Sequence, residues 1–225
     1  MVQAQINLSA APTASDDFII NWSSDSFVPP DYAGKALPTT GSKIRVVVEP
    51  TKKLALDPQK LYYRWLLDDG IAGYASGQGK SVFRFQATKG TGGTHHVSVQ
   101  ILDNNENLLA LKSQSIDIVK PQLLLTQPGN SYALQNTILV GTGQKIDFSA
   151  IPLFFHIKDF AEIIWEWTFA NQALSTTEQK DLNMFTLSIP QGKLSETLEK
   201  NLSVSAINRQ DQFQQDVANI TVDIK

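Results

Sequence analysis

Apolar side chains recur at every second position in short runs along most of this chain. Ile44, Val46 and Val48 form one run, and Tyr63, Trp65 and Leu67 form another, with Arg64 between them. Val97, Val99 and Ile101 interleave with Ser98 and Gln100. Ile146 and Phe148 interleave with Asp147 and Ser149, and Ile163, Trp165, Trp167 and Phe169 with Glu166 and Thr168. A period of two sends alternate side chains to one face, so each run predicts a strand buried on one side. Turn formers separate the runs: Asp68-Asp69-Gly70, Lys89-Gly90-Thr91-Gly92-Gly93, Asp103-Asn104-Asn105-Glu106-Asn107 and Pro128-Gly129-Asn130-Ser131. A helical turn is expected only in residues 176–181 and 192–200.

The runs repeat. Lys43-Ile44-Arg45-Val46-Val47-Val48-Glu49-Pro50 lines up with Lys145-Ile146-Asp147-Phe148-Ser149-Ala150-Ile151-Pro152, 102 positions later. Leu37 and Gly41 fall on Leu139 and Gly143, Trp65 on Trp167, and Phe83 and Phe85 on Phe185 and Leu187, all at the same spacing. A three-residue insertion then sets Val97, Val99 and Ile101 against Leu202, Val204 and Ala206. Two copies of one all-β module follow, residues 1–120 (with an extension at 1–17) and 121–225. About seven short strands per module, with a Trp on a central strand, predict an Ig-like β-sandwich.

Composition narrows the class. The 225 residues carry 18% charged side chains and a net charge of −3, without the concentrated Lys and Arg that nucleic acid or an anionic membrane requires. With no cysteine, disulfides, thiolate zinc sites and a Cys nucleophile are all excluded. No apolar run approaches a membrane span.

At Tyr63-Arg64-Trp65-Leu66-Leu67-Asp68-Asp69-Gly70 the chain resembles the immunoglobulin-like and PKD-type modules of bacterial surface proteins, whose Trp-bearing strand ends in an acidic Gly turn. His96-Val97-Ser98-Val99-Gln100-Ile101-Leu102-Asp103-Asn104 is similar to a later strand of that family. The second copy departs from the pattern, with Phe169-Ala170-Asn171-Gln172 at the turn. Residues 27–38 also look like a stretch found in uncharacterised exported bacterial proteins. The resemblance implies a secreted or cell-surface location, with the signal peptide absent from this sequence. It also implies a role as spacer, adhesion surface or assembly component, within a larger protein or complex.

Candidate chemistry is sparse. Leu37-Pro38-Thr39-Thr40-Gly41 matches the pattern cut by sortases, but a strand follows it in place of an apolar helix and basic tail, so a turn is the expectation. His95 and His96 are adjacent and project to opposite faces, which disfavours one shared metal ion. Asp103, Asn105 and Glu106 gather oxygen atoms in one loop, the first place where Ca²⁺ would bind, with Asp68 and Asp69 behind it; a hairpin is preferred. Lys43, Lys145, Asn219 and Glu166 are the residue types of the Lys–Asn isopeptide bonds in pilin domains. No nucleophile elbow, metalloprotease motif, phosphate loop or matched carboxylate pair is present, so no catalytic residue and no cofactor are assigned.

The reading is therefore a non-enzymatic structural or interaction module with a protein or glycan partner at a cell surface. A carbohydrate-binding module is the alternative. Trp65, Trp165 and Trp167 belong to the cores, which leaves Trp22, Phe27, Tyr32 and Tyr74 as candidate contact residues. The Pro-rich loop at residues 25–37 is the favoured contact surface. The short connection Val119-Lys120-Pro121-Gln122 predicts two sandwiches placed end to end as a semi-rigid rod. Small-angle scattering that showed broad domain motion would contradict that expectation.

Overall fold

The computed structural model describes residues 17–51, 57–130, 132–134, 136–174 and 181–225. Expectations for residues 1–16 and 175–180 lie outside them. The chain divides into two compact units, one made of Met1–Ser24 with Lys43–Ile118, the other of Asp25–Ser42 with Val119–Lys225. Both are Ig-like β-sandwiches.

In the first unit, β1 (Phe18–Ser24), β2 (Lys43–Pro50) and β6 (Val82–Gln86) form a three-stranded antiparallel sheet in the order β1-β2-β6. The facing sheet runs β4 (Gly70–Ile71), β3 (Tyr62–Leu67), β7 (Thr94–Leu102), β8 (Leu108–Asp117), with β5 (Gly77–Gln78) also paired to β3. In the second unit, β9 (Gln122–Thr126), β11 (Lys145–Leu153) and β14 (Met184–Ser188) form one sheet. The other runs β10 (Thr137–Val140), β16 (Gln215–Ile224), β15 (Leu198–Asn208), β12 (Ile163–Phe169), β13 (Gln172–Leu174). There β10 lies parallel to β16 while the other pairings are antiparallel. No α-helix occurs among the described residues. Residues 192–197 are irregular and 198–200 open β15, so the helical turn expected at 192–200 is replaced by a loop and a strand.

Each unit closes its own core. Trp65, Tyr63, Phe83, Ile44, Val46, Val97, Val99 and Ile101 meet in the first, and Trp167, Phe148, Phe155, Ile163, Leu202 and Val204 in the second. The alternation works as the pleat requires: Tyr63 and Trp65 are buried while Tyr62 and Arg64 are exposed.

The 102-residue spacing extends to individual hydrogen bonds. Trp65 Nε1 donates to the Lys80 carbonyl at 2.8 Å, and Trp167 Nε1 to that of Leu182 at 3.1 Å. Trp65 and Phe83 stand 5.5 Å apart at 31°, and Trp167 and Phe185 5.5 Å apart at 30°. Asp57 caps the 3-10 turn Pro58–Lys60 through Gln59 N–H, and Asp159 caps Phe160–Glu162 through Ala161 N–H. Tyr63 Oη donates to the Pro58 carbonyl, and Trp165 Nε1 to that of Phe160. These are separate packing and capping solutions, each reproduced at the same register.

The tight turns after the Trp strands also match, although their sequences do not. Asp68 (φ 48°) and Asp69 (φ 66°) correspond to Ala170 (φ 51°) and Asn171 (φ 63°). Two consecutive positive-φ residues make the hairpin turn whose twist suits antiparallel strands. Asn tolerates this region, whereas Ala has no local hydrogen bond to offset its Cβ crowding. Ala170→Gly is accordingly expected to stabilise the second unit by about 0.5–1 kcal/mol in denaturant titration, the relief of strain exceeding the entropic cost of glycine.

One segment departs from the expected division of the chain. Asp25–Ser42, which joins β1 to β2 of the first unit, belongs to the second. Phe27 N–H donates to the Phe155 carbonyl and Phe154 N–H to that of Phe27, both at 2.7 Å. The Phe27 ring packs edge-on against Phe160 at 5.3 Å, and that of Tyr32 against Phe154 at 5.8 Å. Burying these aromatic faces is what draws the segment in.

Candidate functional site

No set of three or more His, Cys, Asp or Glu that could hold a metal ion occurs among the described residues, and two surface features stand out as candidates for contact. The first is the β15–β16 hairpin tip, residues 209–214, which presents Phe213 at 95% exposure. Its base is fixed from inside. Asn208 is buried, accepts from Gln210 N–H at 2.9 Å and donates to the His156 carbonyl at 3.1 Å. Gln214, also buried, accepts from His156 N–H at 2.8 Å through Oε1 and donates to the Thr40 carbonyl at 2.8 Å through Nε2. Asp211 Oδ1 accepts from the N–H of Phe213 itself. The backbone of the tip is therefore held in place, and an aromatic ring is held out to water.

The second feature is an open depression of about 290 Å³ on the outer face of the β3 sheet in the first unit. Register builds it. Tyr62 pairs with Gln78 on β5 and Leu102 on β7, so those three side chains lie in one row across three strands. Arg64, two residues along, shares the face and donates to Gln100 Oε1 at 3.2 Å. Lys60, at the end of the Asp57-capped turn, and Glu106, in the loop between β7 and β8, stand at the rim.

The residues singled out from the sequence are distributed as follows. Tyr74 is 73% exposed, with its ring 6.1 Å from Phe83. Trp22 is half-buried against the first core, and it also borders a shallow depression of about 210 Å³ beside Ile19, Arg45 and Val47. Phe27 and Tyr32 are half-buried and pack within the second unit, while Pro30, Asp31, Ala33, Gly34 and Lys35 of the same loop are exposed. Trp22 and Tyr74 belong to the first unit, Phe27 and Tyr32 to the second. Phe213 gives no signal in the sequence, because a lone Phe among Gln and Asp residues has no periodicity; only its exposure distinguishes it.

The Asp103 loop closes on itself. Asp103 Oδ1 accepts from the N–H groups of Asn105 and Asn107, both at 2.8 Å, and Oδ2 from Asn107 Nδ2 at 2.9 Å. The Asn107 side-chain and backbone hydrogen bonds hold its carboxyl below the usual carboxylate range. Glu106 takes a left-handed backbone, φ 61°, that completes the turn. This hairpin geometry accounts for the oxygen-rich sequence of Asp103, Asn105 and Glu106.

His95 is buried and His96 exposed. His95 Nε2 accepts from the N–H groups of Thr88 and Lys89, which places the proton on Nδ1, and Nδ1 donates to Asp68 Oδ2 at 2.7 Å. Asp68 also receives Lys89 Nζ at 2.8 Å and His96 N–H at 2.9 Å. Partial burial works to raise the Asp68 pKa. The hydrogen bonds from Lys89, the His96 backbone and His95 outweigh it, and the pKa falls to about 2. The group is depressed on folding, so its stabilisation is complete above the unfolded value near 4 and is lost as pH falls through about 2. With solvent screening, about 1 kcal/mol of first-unit stability should disappear between pH 4 and pH 2 in wild type and not in Asp68→Asn. Denaturant titrations at the two pH values measure it.

The remaining motifs have structural roles. In Leu37-Pro38-Thr39-Thr40-Gly41, Pro38 and Thr39 are buried. Ser42 N–H closes the turn on the Thr39 carbonyl at 3.1 Å, and Gly41 takes φ 90°. A protease needs an extended strand at that site, and the chain presents a packed turn. Lys145 lies on β11, in the sheet opposite Asn219 on β16 and Glu166 on β12, and all three are exposed. Lys43 belongs to the other unit. A Lys–Asn isopeptide bond needs its reacting groups adjacent beside a buried acid, and these residues do not meet that need.

Fold and surface together define tandem immunoglobulin-like modules. No family model matches the sequence, and no curated protein matches it. Solved structures do match. The fibronectin(III)-like modules of Clostridium thermocellum CbhA align over 91% of this chain and 94% of theirs, at 10% identity and a TM-score of 0.32. The titin Ig tandem domains A164–A165 align over 84% of this chain and 90% of theirs, at 10% identity and a TM-score of 0.31. A putative membrane-anchored protein from Corynebacterium diphtheriae aligns over 93% of this chain and 59% of its own length, at 10% identity and a TM-score of 0.35. No helix among the described residues is long and apolar enough to cross a membrane.

Proposed function

We propose that this protein is a non-enzymatic interaction module working outside the cytoplasm, in which two sandwiches serve as scaffold and the β15–β16 hairpin tip makes the principal contact. The observation that carries this reading is Phe213, 95% exposed on a tip whose base is fixed by the buried side chains of Asn208 and Gln214. An isolated aromatic in water gains nothing from folding. On a pre-ordered loop it offers a large apolar contact at low entropic cost, which is how binding anchors are built. Arg209, Gln210, Asp211 and Gln212 around it supply a polar rim of both charges.

The test places a photoreactive phenylalanine analogue at position 213, and at the exposed control Lys193, in protein produced by its native cells. A discrete adduct from 213 alone, reduced at least tenfold in competition with wild type but not with Phe213→Ala, is the expected result. Equal labelling from both positions would contradict it. Protease treatment of intact cells should remove the protein if it lies outside the cytoplasm, and full protection would refute that location.

A further inference from the structure

We propose that the depression around Tyr62 is a second binding site, one that takes a single pyranose unit of an uncharged glycan. It lies in the first unit, on different residues from the Phe213 tip, and stands or falls independently of it.

Strand periodicity sends Tyr63 and Trp65 into the core and leaves Tyr62 and Arg64 outside, so the Tyr62 ring lies on the outer face of the sheet. It is 41% exposed, with the aliphatic Leu102 beside it in the row and the amide of Gln78 on the other side. An aromatic face next to an aliphatic floor suits the C–H face of a sugar ring. Amide, guanidinium and carboxylate groups around it suit the hydroxyls at the ring's edge, each of which is both donor and acceptor.

Size and charge narrow the ligand class. About 290 Å³ lies at the small end of ligand pockets, enough for one ring and open at the side for a chain to continue. Lys60 and Arg64 are matched by Asp103 and Glu106, so the depression has no net charge with which to select an anion or a cation. The Asp103 carboxylate is fixed by three hydrogen bonds from its own loop and keeps a lone pair on Oδ2, and Arg64 is oriented by Gln100, so the polar groups are held before any ligand arrives. A flat protein surface would need a larger apolar patch than one ring and one leucine supply.

The experiment uses the whole chain, ¹⁵N-labelled, titrated with the methyl glycosides of glucose, galactose, mannose and N-acetylglucosamine and with their short β- and α-linked oligomers. The expected result is saturable shifts confined to Tyr62, Gln78, Leu102 and their neighbours. Tyr62→Ala should weaken binding at least tenfold, Tyr62→Phe should keep it within about threefold, and Arg64→Gln should fall between, since a stacked ring and one hydrogen bond contribute unequally. Absence of shifts with every sugar overturns the proposal. So does binding of acetate or phosphate that is lost in Arg64→Gln and unchanged in Tyr62→Ala, which would make the depression a cationic spot. Phe213→Ala should leave the titration unchanged, so failure here does not touch the role of the hairpin tip.

Discussion

Trp167→Ala is expected to lower the stability of the second unit by about 3–5 kcal/mol, the largest effect of any single change considered. The indole is 1% exposed, stacks on Phe185 and donates to the Leu182 carbonyl. Truncation removes apolar contact, leaves a cavity between the sheets and strips a carbonyl of its donor, and these costs add. Trp167→Phe separates them: it keeps most of the packing and should cost about 1–2 kcal/mol, chiefly through the unpaired carbonyl. Because each unit has its own core, the loss should fall on the second unit's transition and spare the first. Urea titration followed by ¹⁵N spectra reads the two transitions residue by residue. Trp65→Ala should do the reverse.

Gln214→Leu is expected to cost the second unit about 2–4 kcal/mol although it replaces a polar core residue with an apolar one of similar size. The amide meets three elements at once, through His156 N–H, Asn208 Nδ2 and the Thr40 carbonyl. Leucine removes the acceptor of the His156 N–H and the side-chain donor to the Thr40 carbonyl in a partly buried site. Gln214→Glu keeps the acceptor and loses the donor, so it should fall between wild type and leucine. The same change should loosen the hairpin tip, and binding through Phe213 should weaken even where the ring is intact.

Much of this fold was legible because alternation is a local signal with a single physical cause. Tyr63, Trp65 and Leu67 must share a face in any strand, and Trp167 takes the same position 102 residues later. Turn chemistry was less transparent. Asp68-Asp69 and Ala170-Asn171 share a backbone but not a composition, and the second pair is recognisable only by its dihedral angles. The three short 3-10 turns among the described residues escape the pattern because three residues carry no periodicity, although Asp57 and Asp159 are the expected caps for two of them.

The 25–37 loop was the least legible part. Phe27, Tyr32 and the prolines of the 25–37 loop look like a binding loop because aromatic, Pro-rich connections usually lie open. Here their destination depends on residues more than a hundred positions away, Phe154, Phe155 and Phe160, and no local pattern reveals that. Phe154 itself is held at φ 64°, a strained position for a bulky side chain, and it is held there by its hydrogen bond to Phe27 and the edge of Tyr32. Conversely, Tyr62 and Phe213 are unremarkable as letters and stand out only once their neighbours are fixed.

Amide hydrogen exchange at Phe27 tests most directly whether Asp25–Ser42 is built into the second sandwich. In wild type this N–H should exchange as slowly as those of β12 and β15, and Trp167→Ala should accelerate all three together while Trp65→Ala leaves them unchanged. A Phe27 amide that exchanges at the rate of an open loop, or one that answers to Trp65→Ala alone, would contradict the account.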